Sequence, residues 1–78
     1  MLKLKNITIT GNIISALVLI ECDENRAYEM SVDANTEWYS VVKSDIPADD
    51  RIYERQAKSA LRQYRGKKIP DEIVSAWV

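Results

Sequence analysis

Arg51, Arg55, Lys58, Arg62 and Arg65 follow one another at alternating steps of four and three residues. On an α-helix, at about 100° per residue, such a set falls within an arc of about 80°. Cations gathered this way can hold an anion, either the phosphates of a nucleic acid or the carboxylates of an acidic protein. Glu54 stands at the edge of the arc, and Lys67 and Lys68 follow it. Residues 51–68 hold seven basic side chains and one acidic, a net of +6, whereas residues 20–50 hold nine acidic and two basic, a net of −7. The chain as a whole carries −1, which argues against a protein built wholly to coat nucleic acid. A solvated helix face is the plainer reading of the arc and stands somewhat ahead of a binding surface. Against it, a merely solvating face more often mixes signs to form pairs along the helix, and this one forgoes most of them.

Other chemistry has little to stand on. Histidine is absent, which removes the commonest general base and the commonest zinc ligand. One cysteine, Cys22, allows neither an internal disulfide nor a thiolate cluster. It ends an apolar run beside Glu21, Asp23 and Glu24, so a buried, inert thiol is expected. Two distant glycines cannot form a phosphate-cradling loop. Glu21, Asp23 and Glu24 cluster in a polar turn, where solvated carboxylates are expected rather than an acid–base pair with split pKa values. Asp33, Asn35 and Glu37 have the spacing that opens a calcium loop, but Trp38 occupies the sixth position, where that loop needs glycine. Asp33 and Asn35 are then turn formers. No catalytic, cofactor-binding or metal-binding residue is assigned, and no cofactor is expected. The candidate binding surface is Arg51, Arg55, Lys58, Arg62 and Arg65.

The elements that must position this arc fit one domain over residues 1–78, with an ordinary apolar fraction of 46%. A chain this short buries a thin core, so self-association would help it. A single cysteine and the lack of an export signal or of an apolar run long enough to span a bilayer point to the cytoplasm. Residues 2–10 alternate with a slip that a bulge near Lys5–Asn6 would absorb. Gly11-Asn12 suits a type II′ hairpin turn. Residues 13–22 form a second strand, apolar on both faces and so expected to be covered on both. Residues 26–33 and 36–43 complete a meander, with Ala34-Asn35 between them. Asp49 and Asp50 enter the first turn of a helix, whose apolar stripe is Tyr53, Ala57, Ala60, Leu61 and Tyr64, and Gly66 lies just past its end. The tail from Ile69 ends in Trp77-Val78 and fits a helical turn or a short strand, docked on the second face of the central strand. The aromatics Tyr28, Trp38, Tyr39, Tyr53, Tyr64 and Trp77 are expected mostly in the core.

Several segments carry a resemblance, in order along most of the chain: Leu2-Lys3-Leu4-Lys5-Asn6-Ile7, Gly11-Asn12-Ile13-Ile14-Ser15-Ala16, Val32-Asp33 with Thr36-Glu37, Gln56-Ala57-Lys58-Ser59-Ala60-Leu61, and Ile69-Pro70-Asp71-Glu72 with Trp77 near the end. Together they resemble a family of short Firmicutes proteins of unknown function. The resemblance implies a meander, one helix and a docked, strand-like tail, and it implies no site residues.

The expected fold is α+β: a four-stranded antiparallel meander sheet, then one amphipathic helix and a docked C-terminal tail that either adds a strand or lies across the sheet. The expected function is that of a small non-enzymatic protein-interaction module, with self-association open, acting through the acidic sheet region, the basic helix face, or both. Binding of nucleic acid or another polyanion through the helix is the alternative, and a carboxylate-dependent enzyme comes third. No membrane partner is expected.

Overall fold

The computed structural model describes residues 1–76. Five strands, β1 (Leu2–Thr10), β2 (Ile13–Ile20), β3 (Ala27–Asp33), β4 (Ser40–Ser44) and β5 (Ile73–Ser75), form one sheet in the order β4-β3-β2-β1-β5. Every neighbouring pair is antiparallel. Helix α1 (Arg51–Arg62) follows a single 3₁₀ turn at Ala48–Asp50 and packs on one face, mainly over β1 and β5. No helix of the described residues is long and apolar enough to cross a membrane.

Local chemistry sets the first hairpin. Thr10 pairs with Ile13 across Gly11-Asn12, and Gly11 takes φ +60° while Asn12 stays out of the left-handed region, as a type II′ turn requires. The expected bulge is present. Register passes from Lys5–Leu17 to Thr8–Ser15, so Asn6 and Ile7 together oppose Ala16, with Asn6 at φ +54°. The slip keeps Ile7 against the core behind Leu2 and Leu4. Ile9, opposite Ile14, is nevertheless 57% exposed.

One core lies between the sheet and α1. Leu2, Leu4, Ile14, Val18, Ile20, Met30 and Val32 face Ala57, Ala60 and Leu61. Alanines on the helix allow close approach to the strands, and Leu61 fills the remaining space at zero exposure. No described side-chain nitrogen or oxygen is buried without a hydrogen-bond partner.

Three expectations need correction and one is completed. The tail, left between an added strand and a segment across the sheet, adds the strand: Leu2, Lys3 and Leu4 pair with Ser75, Val74 and Ile73 at the free edge of β1. Trp77 lies outside the described residues. β2 stops at Ile20 and not at Cys22. Glu21 and Cys22 both take positive φ, +54° and +58°, in a tight turn closed by the Asp23 N–H donating to the Ile20 carbonyl at 3.0 Å. Cys22 is accordingly half-exposed and not buried. β4 begins at Ser40 and not at Thr36, because residues 36–39 form a turn. Its Thr36 Oγ1 accepts from the Ser40 N–H at 2.9 Å, and Tyr39 N–H donates to the Thr36 carbonyl at 3.3 Å. Finally, Asp49 and Asp50 sit in the 3₁₀ turn ahead of α1.

The second face of the sheet lies away from α1, the one α-helix among the described residues. Sequence patterning suggested a covered face because Ile13, Leu17 and Leu19 line it. Lysines do part of that work. Lys5 Nζ reaches Glu24 at 2.9 Å, Lys3 reaches Glu72 at 3.6 Å, and their aliphatic stems lie beside Leu17 and Leu19, their cross-strand partners. Leu19 has zero exposure although it stands apart from the main core.

Candidate functional site

Helix α1 makes most of its sheet contacts with β1 and β5, and its basic side lines a groove with Val41 of β4. The segment from Trp38 to Val41 passes alongside the arginine arc. Tyr39 meets Arg65, Trp38 meets Arg62, and Val41 lies opposite Arg51, Glu54, Arg55 and Lys58.

The arc divides into two parts. Arg62 places its guanidinium 4.3 Å from the centre of the Trp38 ring and donates from Nε to the Glu37 carbonyl at 3.3 Å. Arg65 lies past the end of α1, where the chain tightens into 3₁₀-type turns before Gly66 at φ +74°. Its guanidinium stands 4.9 Å from the Tyr39 ring centre and donates through Nη2 to the carbonyls of Thr36 and Glu37, at 2.6 and 2.7 Å. These two cations hold the 36–39 turn from across the molecule. The turn needs holding, since Tyr39 adopts φ +56° with its ring buried to 4% exposure. Sequence reasoning placed both arginines in the arc and missed this use. The available signal was the adjacent aromatic pair Trp38-Tyr39 closing an acidic turn, since arginine stacks readily on such rings.

Arg51, Arg55 and Lys58 remain. No described carboxylate lies within ion-pair distance of any of them. With Glu54 they wall a shallow groove of about 170 Å³ over Val41. Trp38 is 63% exposed, contrary to its expected place in the core, and Val42 is 58% exposed. Val42 is the extra residue of a bulge in β4, between the Lys43–Ser31 and Val41–Val32 pairs. The outer rim of β4 has no neighbouring strand among the described residues.

The acidic sheet region is less acidic in space than along the chain. Lys5 pairs with Glu24, Lys3 with Glu72, Lys43 with Glu29 at 3.9 Å, and Arg26 with Asp50 at 3.3 Å. The open face is thus a lattice of mixed sign, with Ser15 and Ser31 hydrogen-bonded across it at 2.8 Å. Asp33 is the turn former expected of it, accepting from the Asn35 N–H at 2.8 Å.

A second polar cluster ties the 21–26 loop to the start of α1. The amino-terminal ammonium donates to Glu21 at 2.9 Å, and the Arg26 guanidinium lies 6.0 Å from the centre of the Tyr53 ring. The ammonium holds the Glu21 carboxyl below its ordinary value, and partial burial followed by the Glu21 charge raises the Tyr53 hydroxyl. A carboxyl with a lowered folded-state pKa stabilises the protein above its unfolded value and loses that contribution as pH falls through the folded value. Glu21→Gln is therefore expected to unfold at lower urea than the parent at neutral pH, with the two midpoints converging as the pH falls through the folded-state pKa of Glu21. A gap that stays constant across that range would show that the ionised carboxylate contributes nothing.

No family model matches this chain, and no curated protein or solved structure shows significant similarity to it.

Proposed function

We propose that the chain is a small non-enzymatic protein-interaction module that docks its partner along the β4 side of the molecule. The observation that supports this reading is the exposure of Trp38 and Val42 on the segment whose Val41 shares a groove with three cations, Arg51, Arg55 and Lys58, that have no acidic partner among the described residues. Tryptophan and arginine are the side chains over-represented at binding hot spots, and an apolar centre with a charged rim is the usual anatomy of an interface. The original set of five cations contracts to three in this reading, because Arg62 and Arg65 are engaged by their own chain. Self-association, the acidic side of one copy against the basic side of another, is the other form of the proposal; it predicts a dimer mass by light scattering that falls as salt is added.

Selection of a random-peptide display library against the immobilised chain tests the module. Enriched peptides should lose about thirtyfold in affinity on a Trp38→Ala, Val42→Asp variant, the scale of losing one hot spot. Peptides that bind the variant equally well, or a selection that enriches nothing, would count against it.

Polyanion binding is the second reading, favoured by the same unpaired cations. Contacts from Arg51, Arg55 and Lys58 alone imply an affinity for DNA or RNA that falls roughly fortyfold between 50 and 200 mM salt, whereas five contacts would give a fall of several hundredfold. Fluorescence anisotropy with labelled single- and double-stranded probes reads this slope directly. No binding at the lower salt ends that reading.

A further inference from the structure

Resting on the proposed docking side, the geometry points to a specific class of partner: an extended acidic segment of another protein, laid in the groove between α1 and β4. It would place carboxylates against Arg51, Arg55 and Lys58 and an aliphatic side chain on Val41. The charge is complementary, since all three cations lack a carboxylate partner among the described residues and the groove contributes one acid of its own, Glu54.

Spacing matches as well. Along the helix axis Arg51 and Arg55 are about 6 Å apart, and Lys58 lies about 4.5 Å further on. In an extended segment, side chains on one face recur about every 6.8 Å. Acidic residues at alternate positions thus meet successive cations, with apolar residues between them free to turn toward β4. Val41 supplies the apolar floor at 36% exposure. Arg62, the next cation along the helix, is already stacked on Trp38, so the stretch of arc open to a segment, from Arg51 up to that residue, matches about five extended residues.

The edge strand itself argues for groove binding over continuous sheet addition. β4 has five residues, carries Lys43, and is bulged at Val42, all features that discourage one strand from zipping onto another. Nucleic acid fits less well, because one face of the Trp38 ring is already taken by Arg62, which leaves a base only the other face to stack on, and the apolar floor at Val41 matches an aliphatic side chain better than a phosphate.

The test is fluorescence anisotropy with a labelled peptide alternating Glu and Val. Three other probes accompany it: the same peptide with Lys for Glu, the same with Ser for Val, and a single-stranded DNA oligomer. The Glu–Val peptide should bind, weaken several-fold when its valines become serine, and weaken roughly tenfold or more on an Arg51→Glu, Arg55→Glu variant. Circular dichroism of that variant, both side chains being exposed, should match the parent. The proposal is overturned if the acidic peptide fails to bind at low salt, if the lysine peptide binds as well, or if the variant binds undiminished. DNA binding more tightly than the peptide would reassign the groove to polyanions. A parent dimer that the variant turns into a monomer would reassign it to a second copy of the chain. Failure here alongside display peptides that still depend on Trp38 and Val42 would leave the interaction module standing with a different partner, which separates this inference from the reading on which it rests.

Discussion

Replacing Leu61 by alanine should lower the unfolding free energy by about 2–5 kcal/mol, read as a shift of the urea midpoint with an unchanged slope. Leu61 has zero exposure and is the only large aliphatic residue among the buried side chains of α1; the others are Ala57 and Ala60. Two alanines set how closely the helix approaches the sheet, and they leave one leucine to fill the space between. Truncating it creates a cavity that the strands cannot collapse into, because β1 and β2 are locked in register by a bulge and a two-residue turn. A domain of this size has roughly 5–10 kcal/mol to lose. The loss would therefore consume a large part of its stability, and it would be felt on the binding side as well, since α1 carries Arg51, Arg55 and Lys58. A cost below about 1 kcal/mol would mean that the helix is not anchored where the core places it.

How much of this could be read from the residues follows from how local each cause is. The II′ turn at Gly11-Asn12 and the bulge at Asn6 were legible because both are decided within a few residues, by glycine's access to positive φ and by a slip in alternation. The apolar stripe of α1 was legible for the same reason. The start of β4 was not. Residues 36–39 have strand-like composition, and the force that folds them into a turn comes from Arg62 and Arg65, more than twenty residues away. The tail was ambiguous because a strand of three residues has almost no periodicity; its state is set by the vacant edge of β1, which no local pattern reveals. On the second face of the sheet, lysine stems stand beside Leu17 and Leu19, a covering that composition alone does not reveal.

The candidate site divides along the same line. Its cations were visible as an arc, because helical spacing is local. Which of them face outward was not, because that depends on where a distant aromatic pair comes to rest. A comparison of single variants measures this division. Arg65→Met should destabilise the fold by about 1–2 kcal/mol, because it removes two charge-assisted hydrogen bonds to backbone carbonyls and a stacked cation while keeping most of the aliphatic stem. The lower end of the usual range for charged hydrogen bonds applies, since the side chain is exposed to solvent. Arg51→Met and Arg55→Met should each stay within about 0.5 kcal/mol of the parent, as surface changes without a partner do. A probe of the turn sharpens the contrast. The Tyr39 N–H bonds the Thr36 carbonyl at 3.3 Å, and its hydrogen exchange should quicken in Arg65→Met and stay unchanged in Arg51→Met. Equal stability losses for Arg65 and Arg51 would mean that Arg65 does not clasp the turn. All five cations would then return to the surface, and the steep, five-contact salt dependence would become the one to expect with nucleic acid.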